Sequence, residues 1–207
     1  MKKKIKAIIS DFDGVLCHYY FYHTLESTRP ELYEFINVEL FKNNRHLVKS
    51  WMRGKLSADD INRFLAERSS MEFNFYKNEL IKSVKKMQLN QLLLDFLLKM
   101  KKNSVKVALL TDNMDVFDDI TVPTKKLEKV FDHIVSSSKY KMLKGDNRGE
   151  MIDRTRDLLN EDYENILVLD DWPLLGEMVL ARKGNFYLYN KDTETQFEEW
   201  FNQNFAF

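Results

Sequence analysis

The 207-residue chain has a single cysteine, no excess of either charge and no long apolar run. Each absence narrows what it can be. Cys17 has no partner for an internal disulfide, and without cysteine pairs there is no thiolate zinc site, so a reducing cytoplasm is the expected setting. Lysine plus arginine and aspartate plus glutamate both number 32, so no long-range field draws the chain to nucleic acid or to an anionic membrane. Nothing approaches the ~20 apolar residues of a transmembrane helix. The start MKKKIKAIIS resembles a signal-peptide n-region, but its apolar run is too short and meets Asp11 where a hydrophobic region would continue, so a solvated strand entry is expected. Repeats and low-complexity tracts are also missing. The 44% hydrophobic fraction is spread through periodic segments, as in a folded globular protein long enough for one domain with a sizeable insertion or for two small ones.

What is present centres on residues 5–16, IKAIISDFDGVL. Ile5, Ala7, Ile8 and Ile9 give the near-continuous apolar character of a strand covered on both faces, and Gly14 permits a sharp exit without a Cβ clash. The strand delivers Asp11 and Asp13 to the rim at which open α/β sheets bind ligands. Asp and Gly are also ordinary turn formers, so Asp-x-Asp-Gly alone does not define a site.

Residues 17–89 contain no clear strand and several helical patterns. Residues 30–50 read as one or two helices with a break at Asn43 and Asn44. A helix beginning at Ser57 carries capping-box spacing to Asp60, and another covers about residues 72–87, its aromatics Phe73, Phe75 and Tyr76 reading as core. From Asn90 helix and strand alternate. Asn90 caps a helix over 91–102 with a basic last turn. Strands follow at 105–110, 133–137, 166–169 and 186–189, with helices near 149–160, 174–182 and from about 193. Such alternation predicts a doubly wound parallel sheet.

Four strand ends then carry polar chemistry: Asp11 with Asp13, Thr111 followed by Asp112 and Asn113, a lysine among Lys139, Lys141 and Lys144, and Asp170 with Asp171. Oxygen ligands from three strand ends suit a hard cation such as Mg²⁺ beside a phosphoryl group. The histidines show no metal-site spacing, and Cys17 beside Leu16 reads as a small apolar residue.

In order, DFDGV, LLTDN, LKGD and LVLDD resemble the motifs of the haloacid dehalogenase-like hydrolase superfamily, from Ile5 to about residue 189. The resemblance implies a Rossmann-like α/β core over residues 1–16 and 90–207, interrupted by a helical cap over 17–89. It implies Asp11 as nucleophile and Asp13 as general acid/base. Thr111, with Asp112 and Asn113, would bind substrate, and Lys144 would stabilise charge. Asp11, Asp13, Asp170 and Asp171 would serve the metal, Asp13 through its backbone carbonyl. Two positions depart from the pattern. Lys144-Gly145-Asp146 stands where Lys-Pro-Asp is expected, seven residues after Ser137, so Gly145 is expected to loosen the loop and Lys139 or Lys141 remain alternatives. Trp172 replaces a small polar residue, either narrowing the site mouth or packing at a helix start before Pro173.

The expected activity is a Mg²⁺-dependent phosphatase acting in the cytoplasm on a small phosphorylated metabolite, with a sugar phosphate as candidate and neither nucleic acid nor membrane as partner. A phosphomutase needs the same residues plus a cap that excludes water. A receiver-type signalling domain places its acidic pair on the first strand, the reverse of the order here. A catalytically silent binding protein would not need every acid that this chain retains. Nothing in the sequence sets an oligomeric state.

Overall fold

A computed structural model describes residues 2–206. Its strands are β1 (Lys3–Lys4), β2 (Ala7–Ser10), β3 (Lys106–Thr111), β4 (His133–Ser136), β5 (Ile166–Asp170), β6 (Asn185–Leu188) and β7 (Phe205–Ala206). Five of them form a parallel sheet in the order β4-β3-β2-β5-β6. The chain fills one side of β2 first and then crosses to the other. The sheet's switch point therefore lies at the carboxyl end of β2, where Asp11 follows, and Asp11 N–H donates to Leu169 O of β5 at 2.9 Å.

Alternation along β2 explains why both faces are covered. Ile8 joins an apolar cluster with Val107, Leu109, Leu167 and Leu169 on one face. Ala7 and Ile9 join Ala108, Leu110 and Val168 on the other. That second face is closed by α7 (Glu150–Leu159) and α8 (Pro173–Ala181), through Met151, Ile152, Leu175 and Val179. On the first face lie α6 (Gln91–Lys102) and α9 (Phe197–Asn204), whose Phe96, Phe197 and Phe201 rings meet edge to face or tilted.

Between β2 and β3 come α1 (Thr24–Thr28), α2 (Pro30–Ile36), α3 (Arg45–Met52), α4 (Ala58–Glu67) and α5 (Phe73–Lys86). Their buried residues, among them Leu25, Ile36, Trp51, Ile61, Leu65, Tyr76 and Leu80, belong to the same apolar cluster as the first sheet face. The expected capping box at α4 is present: Asp60 N–H donates to Ser57 Oγ at 3.2 Å and Ser57 N–H to Asp60 Oδ2 at 2.8 Å. Asn90 Oδ1 accepts Leu93 N–H at 3.1 Å as the cap of α6. The break at Asn43 and Asn44 proves to be the end of a π-helical stretch, Asn37–Asn43, that joins α2 to α3. Tyr76 is buried, as expected, while Phe73 and Phe75 are half-buried at the edge.

One feature has no counterpart in the sequence patterns. The basic start pairs in parallel with the far end, Lys3 opposite Phe205 and Lys4 opposite Ala206. Two residues on each side are too few to show alternation. Among the described residues no helix is long and apolar enough to cross a membrane.

Candidate active site

The turn after β2 folds tightly back, with Leu16 N–H donating to Phe12 O at 2.9 Å and Gly14 N–H to Cys17 O at 2.8 Å. Gly14 sits at φ +77°, and a Cβ there would lie 2.0 Å from Asp171 Oδ2. Only glycine lets the turn pass the second acid of the pair after β5. Asp11 is thereby held against Asp170 and Asp171, with a carboxylate oxygen from each of the three lying within 4.8 Å of the others.

Lys144 enters this cluster from the loop after β4. Its Nζ donates to Asp11 Oδ2 at 2.6 Å and to Asp170 Oδ2 at 2.7 Å, and all three side chains are buried. The other two candidate lysines point elsewhere. Lys139 pairs with Asp118 at 3.2 Å, and Lys141 donates to Gly54 O at 3.2 Å. Lys144 is therefore the lysine that the structure brings to the acids.

The expected loosening by Gly145 is not what the structure contains. Gly145 has ordinary backbone angles, φ −85° and ψ −10°, but a Cβ on it would lie 2.7 Å from the edge of the Trp172 ring. The two departures from the motif pattern are thus one contact: the indole packs where a proline ring would stand. The loop is held by further bonds. Lys144 N–H donates to Asp112 Oδ1 at 2.8 Å and Leu143 N–H to Asp146 Oδ2 at 3.0 Å, while Arg53 grips Asp146 through two bonds of 2.7 and 3.0 Å.

Asp112 and Asn113, expected to meet substrate, are engaged in orienting other groups. Asp112 fixes Lys144 as described, and Asn113 Nδ2 donates to Asp13 Oδ2 at 2.9 Å. Asn113 N–H in turn donates to Ser137 Oγ at 2.9 Å. Thr111 is fully buried, and its Oγ1 has no hydrogen-bond partner among the described residues. That hydroxyl is left free to bond a ligand oxygen or a water at the strand end.

Charge in the cluster is unbalanced. One ammonium faces Asp11, Asp13, Asp170 and Asp171. Burial works against the charged amine of Lys144, but Asp11 and Asp170 outweigh it and hold its pKa above the ordinary value. The acids bear the surplus. Burial, reinforced by the Asp11 charge, pushes Asp13 up to about 8, a shift that favours its protonated form. Burial also raises Asp170 and Asp171, with Asp11 again adding to it, and pushes Asp112 up to about 6. A cluster of oxygen-only donors with excess negative charge fits a hard divalent cation. Asp11, Asp170 and Asp171 are placed so that their carboxylates could hold one, whereas the Asp13 carboxyl is tied to Asn113 and stands outside that group.

A cavity of about 310 Å³ opens from Asp13, Gly14 and Asp171 past Cys17, His18 and Tyr20. His18 Nε2 lies 3.3 Å from Glu194 Oε2, which positions it at the wall. Burial pushes the Cys17 thiol up to about 12, consistent with its reading as a small apolar residue. Sequence reasoning missed the anchors of the 51–58 loop. Asp115 accepts Trp51 Nε1–H at 2.7 Å and Ala58 N–H at 2.8 Å, and Ser137 Oγ donates to Met52 O at 2.7 Å. No local pattern marks them, because each partner lies more than 50 residues away in sequence.

No family model matches the sequence, and no curated protein does. Solved structures do. A haloacid dehalogenase (HAD) family enzyme from Bacteroides thetaiotaomicron, solved with magnesium and inorganic phosphate, is 17% identical, with a TM-score of 0.68 over 88% of this chain and 93% of that one. A predicted HAD-like family hydrolase from Porphyromonas gingivalis is 16% identical, with a TM-score of 0.71 over 95% and 97%. The L-2-haloacid dehalogenase of Xanthobacter autotrophicus, solved with chloropropionic acid covalently bound, is 14% identical, with a TM-score of 0.62 over 88% and 76%. An open parallel sheet with a carboxylate cluster at its switch point places those acids where α/β folds bind ligands. More narrowly, the chain has the haloacid dehalogenase-like fold.

Proposed function

We infer that the chain is a Mg²⁺-dependent phosphatase that hydrolyses a small phosphorylated metabolite through an aspartyl phosphate on Asp11. The observation that carries this reading is the pairing of two differently placed acids two residues apart. Asp11 lies in the acidic cluster with Lys144 at 2.6 Å, while the Asp13 carboxyl is held outside it by Asn113, where burial pushes its pKa up. A nucleophile and a proton donor are what a two-step phosphoryl transfer requires. The neighbour solved with magnesium and inorganic phosphate supports the choice of ligands. A dehalogenase has no use for an acid at the position of Asp13, because a halide leaves without a proton.

In the first step Asp11 attacks phosphorus, the bond to the substrate oxygen breaks, and Asp13 gives its proton to the departing alcohol. In the second, Asp13 takes a proton from water as that water attacks the aspartyl phosphate, releasing inorganic phosphate and restoring Asp11. Lys144 and the free Thr111 hydroxyl stabilise charge on the equatorial oxygens. Asp11, Asp170 and Asp171 would hold magnesium, whose positive charge would let an anionic nucleophile approach an anionic ester. Asn113 keeps the Asp13 carboxyl aimed, and Asp112 keeps Lys144 in reach. Residues 17–89 act as the cap over this site, tied to the core by the Arg53–Asp146 pair. Turnover of a generic aryl phosphate tests the reading: it requires Mg²⁺ and disappears in chelator, whereas full turnover in excess chelator contradicts the metal assignment.

A further inference from the structure

Tyr20 lines both the cavity that ends on Asp13 and Asp171 and a second one of about 370 Å³, whose other lining residues are Phe21, Tyr33, Asn37 and Phe41. The second cavity carries no charged side chain, and four of its five lining residues are aromatic. Among the described residues the rings of Tyr20, Tyr33 and Phe41 meet no other aromatic ring, although Phe21 lies 5.6 Å from Trp51. Tyr20 is 73% exposed at the junction. Asn37 and Phe41 reach the groove from the π-helical stretch Asn37–Asn43, a distortion that re-aims side chains and recurs at functional sites.

We propose that the substrate is the phosphate monoester of an alcohol with a flat apolar or aromatic body, its phosphate at Asp11 and its body on Tyr20, Tyr33 and Phe41. This deepens the phosphatase reading and rests on it. A sugar has hydroxyls at nearly every carbon and needs many matching donors and acceptors, whereas this groove has only the Tyr20 and Tyr33 hydroxyls and the Asn37 amide. An aromatic body gains from burial against unpaired rings, and that remote binding energy is available to orient the ester for attack. Tyr20 lines both cavities, which places the groove beside the acidic one.

Ethyl, phenethyl and glucose 6-phosphate are all esters of primary alcohols, so their comparison separates body recognition from leaving-group chemistry. Phenethyl phosphate is expected to exceed both others in kcat/KM by about tenfold or more, the value of burying one ring. The phenethyl-to-ethyl ratio is expected to collapse toward one in Phe41→Ser and in Tyr20→Ala, the latter at a position too exposed to unfold the protein. Equal kcat/KM for phenethyl and ethyl phosphate, or a ratio untouched by both substitutions, overturns the groove while leaving the phosphatase reading in place. Calorimetry with phenethylphosphonate and ethylphosphonate in Mg²⁺ reads the groove without turnover. If no ester is hydrolysed but phenethylphosphonate binds about tenfold tighter, the groove stands and the phosphatase reading fails. Equal affinities overturn the groove in either case.

Discussion

Two lysine–aspartate clusters stand five residues apart in sequence at neighbouring strand ends, and they solve opposite problems. At Asp118 one buried carboxylate is met by two hydroxyls and one ammonium. Its Oδ2 accepts the Ser136 hydroxyl at 2.7 Å and the Ser138 hydroxyl, and Lys139 forms an ion pair with Oδ1 at 3.2 Å with 58% of its side chain exposed. One charge answers one charge, although Oδ1 accepts no hydrogen bond among the described residues. At Lys144 one ammonium, 5% exposed, is shared by two buried carboxylates while two more acids stand close by, and Thr111 keeps a free hydroxyl. The first cluster is balanced in charge, whereas the second holds more carboxylates than its one ammonium matches. A buried acid–base pair therefore marks a site by its surplus of unmatched charge rather than by its presence.

Substitutions can break this contrast. The largest effect is expected from Lys144→Met, which leaves Asp11 and Asp170 buried and uncompensated. Unfolding in urea with chelator should show a loss of about 3–5 kcal/mol. Mg²⁺ should restore part of it, because a ligand that binds only the folded state stabilises it. Turnover should fall by about 10²-fold or more with the charge on the equatorial oxygens unsupported.

Asp13→Asn should separate activity from stability. The raised folded pKa means that the native state binds more protons than the unfolded one between about pH 4, the ordinary carboxylate value, and about 8. In the metal-free protein this acid's contribution to stability is then lost as pH rises through that window. The amide removes the slope and raises the melting temperature at pH 8, measured in chelator. Single-turnover formation of the phosphoenzyme should meanwhile slow by ~10² to 10⁴-fold for an alkyl phosphate and much less for p-nitrophenyl phosphate. An unchanged pH slope in the variant would assign the stored cost to other acids.

The charge-balanced Asp118 cluster should respond more weakly and without loss of chemistry. Asp118→Ala strands the Ser136 and Ser138 hydroxyls and should cost about 1–3 kcal/mol in urea denaturation, with kcat/KM preserved. Lys139→Ala, at the exposed end, should cost under about 1 kcal/mol. A loss of turnover in Asp118→Ala as large as in Lys144→Met would erase the distinction between the two.

The parallel sheet and its acidic rim were legible because strand residues such as Ile8, Ile9, Leu109 and Val168 are apolar in runs that stop abruptly at Asp11, Thr111 and Asp170. The capping box at Ser57 and the cap at Asn90 were legible for the same local reason. Which lysine reaches Asp11 was not, since Lys139, Lys141 and Lys144 differ only in where a loop folds. Gly145 was misread because its partner, Trp172, is a contact between two motifs, and a sequence read one motif at a time shows two unrelated departures. The roles of Asp112 and Asn113 were hidden in the same way: each bonds a residue brought near only by the sheet. The β1–β7 ribbon is defined by pairing alone.

The account turns on Asp11 as the group that becomes phosphorylated. Acid-quenching the enzyme with Mg²⁺ and a radiolabelled phosphate ester, then mapping the labelled peptide, tests this directly. The account predicts an acid-stable, hydroxylamine-labile phosphate on Asp11 that is absent in Asp11→Asn. Label on another residue, or steady turnover by Asp11→Asn, would contradict it.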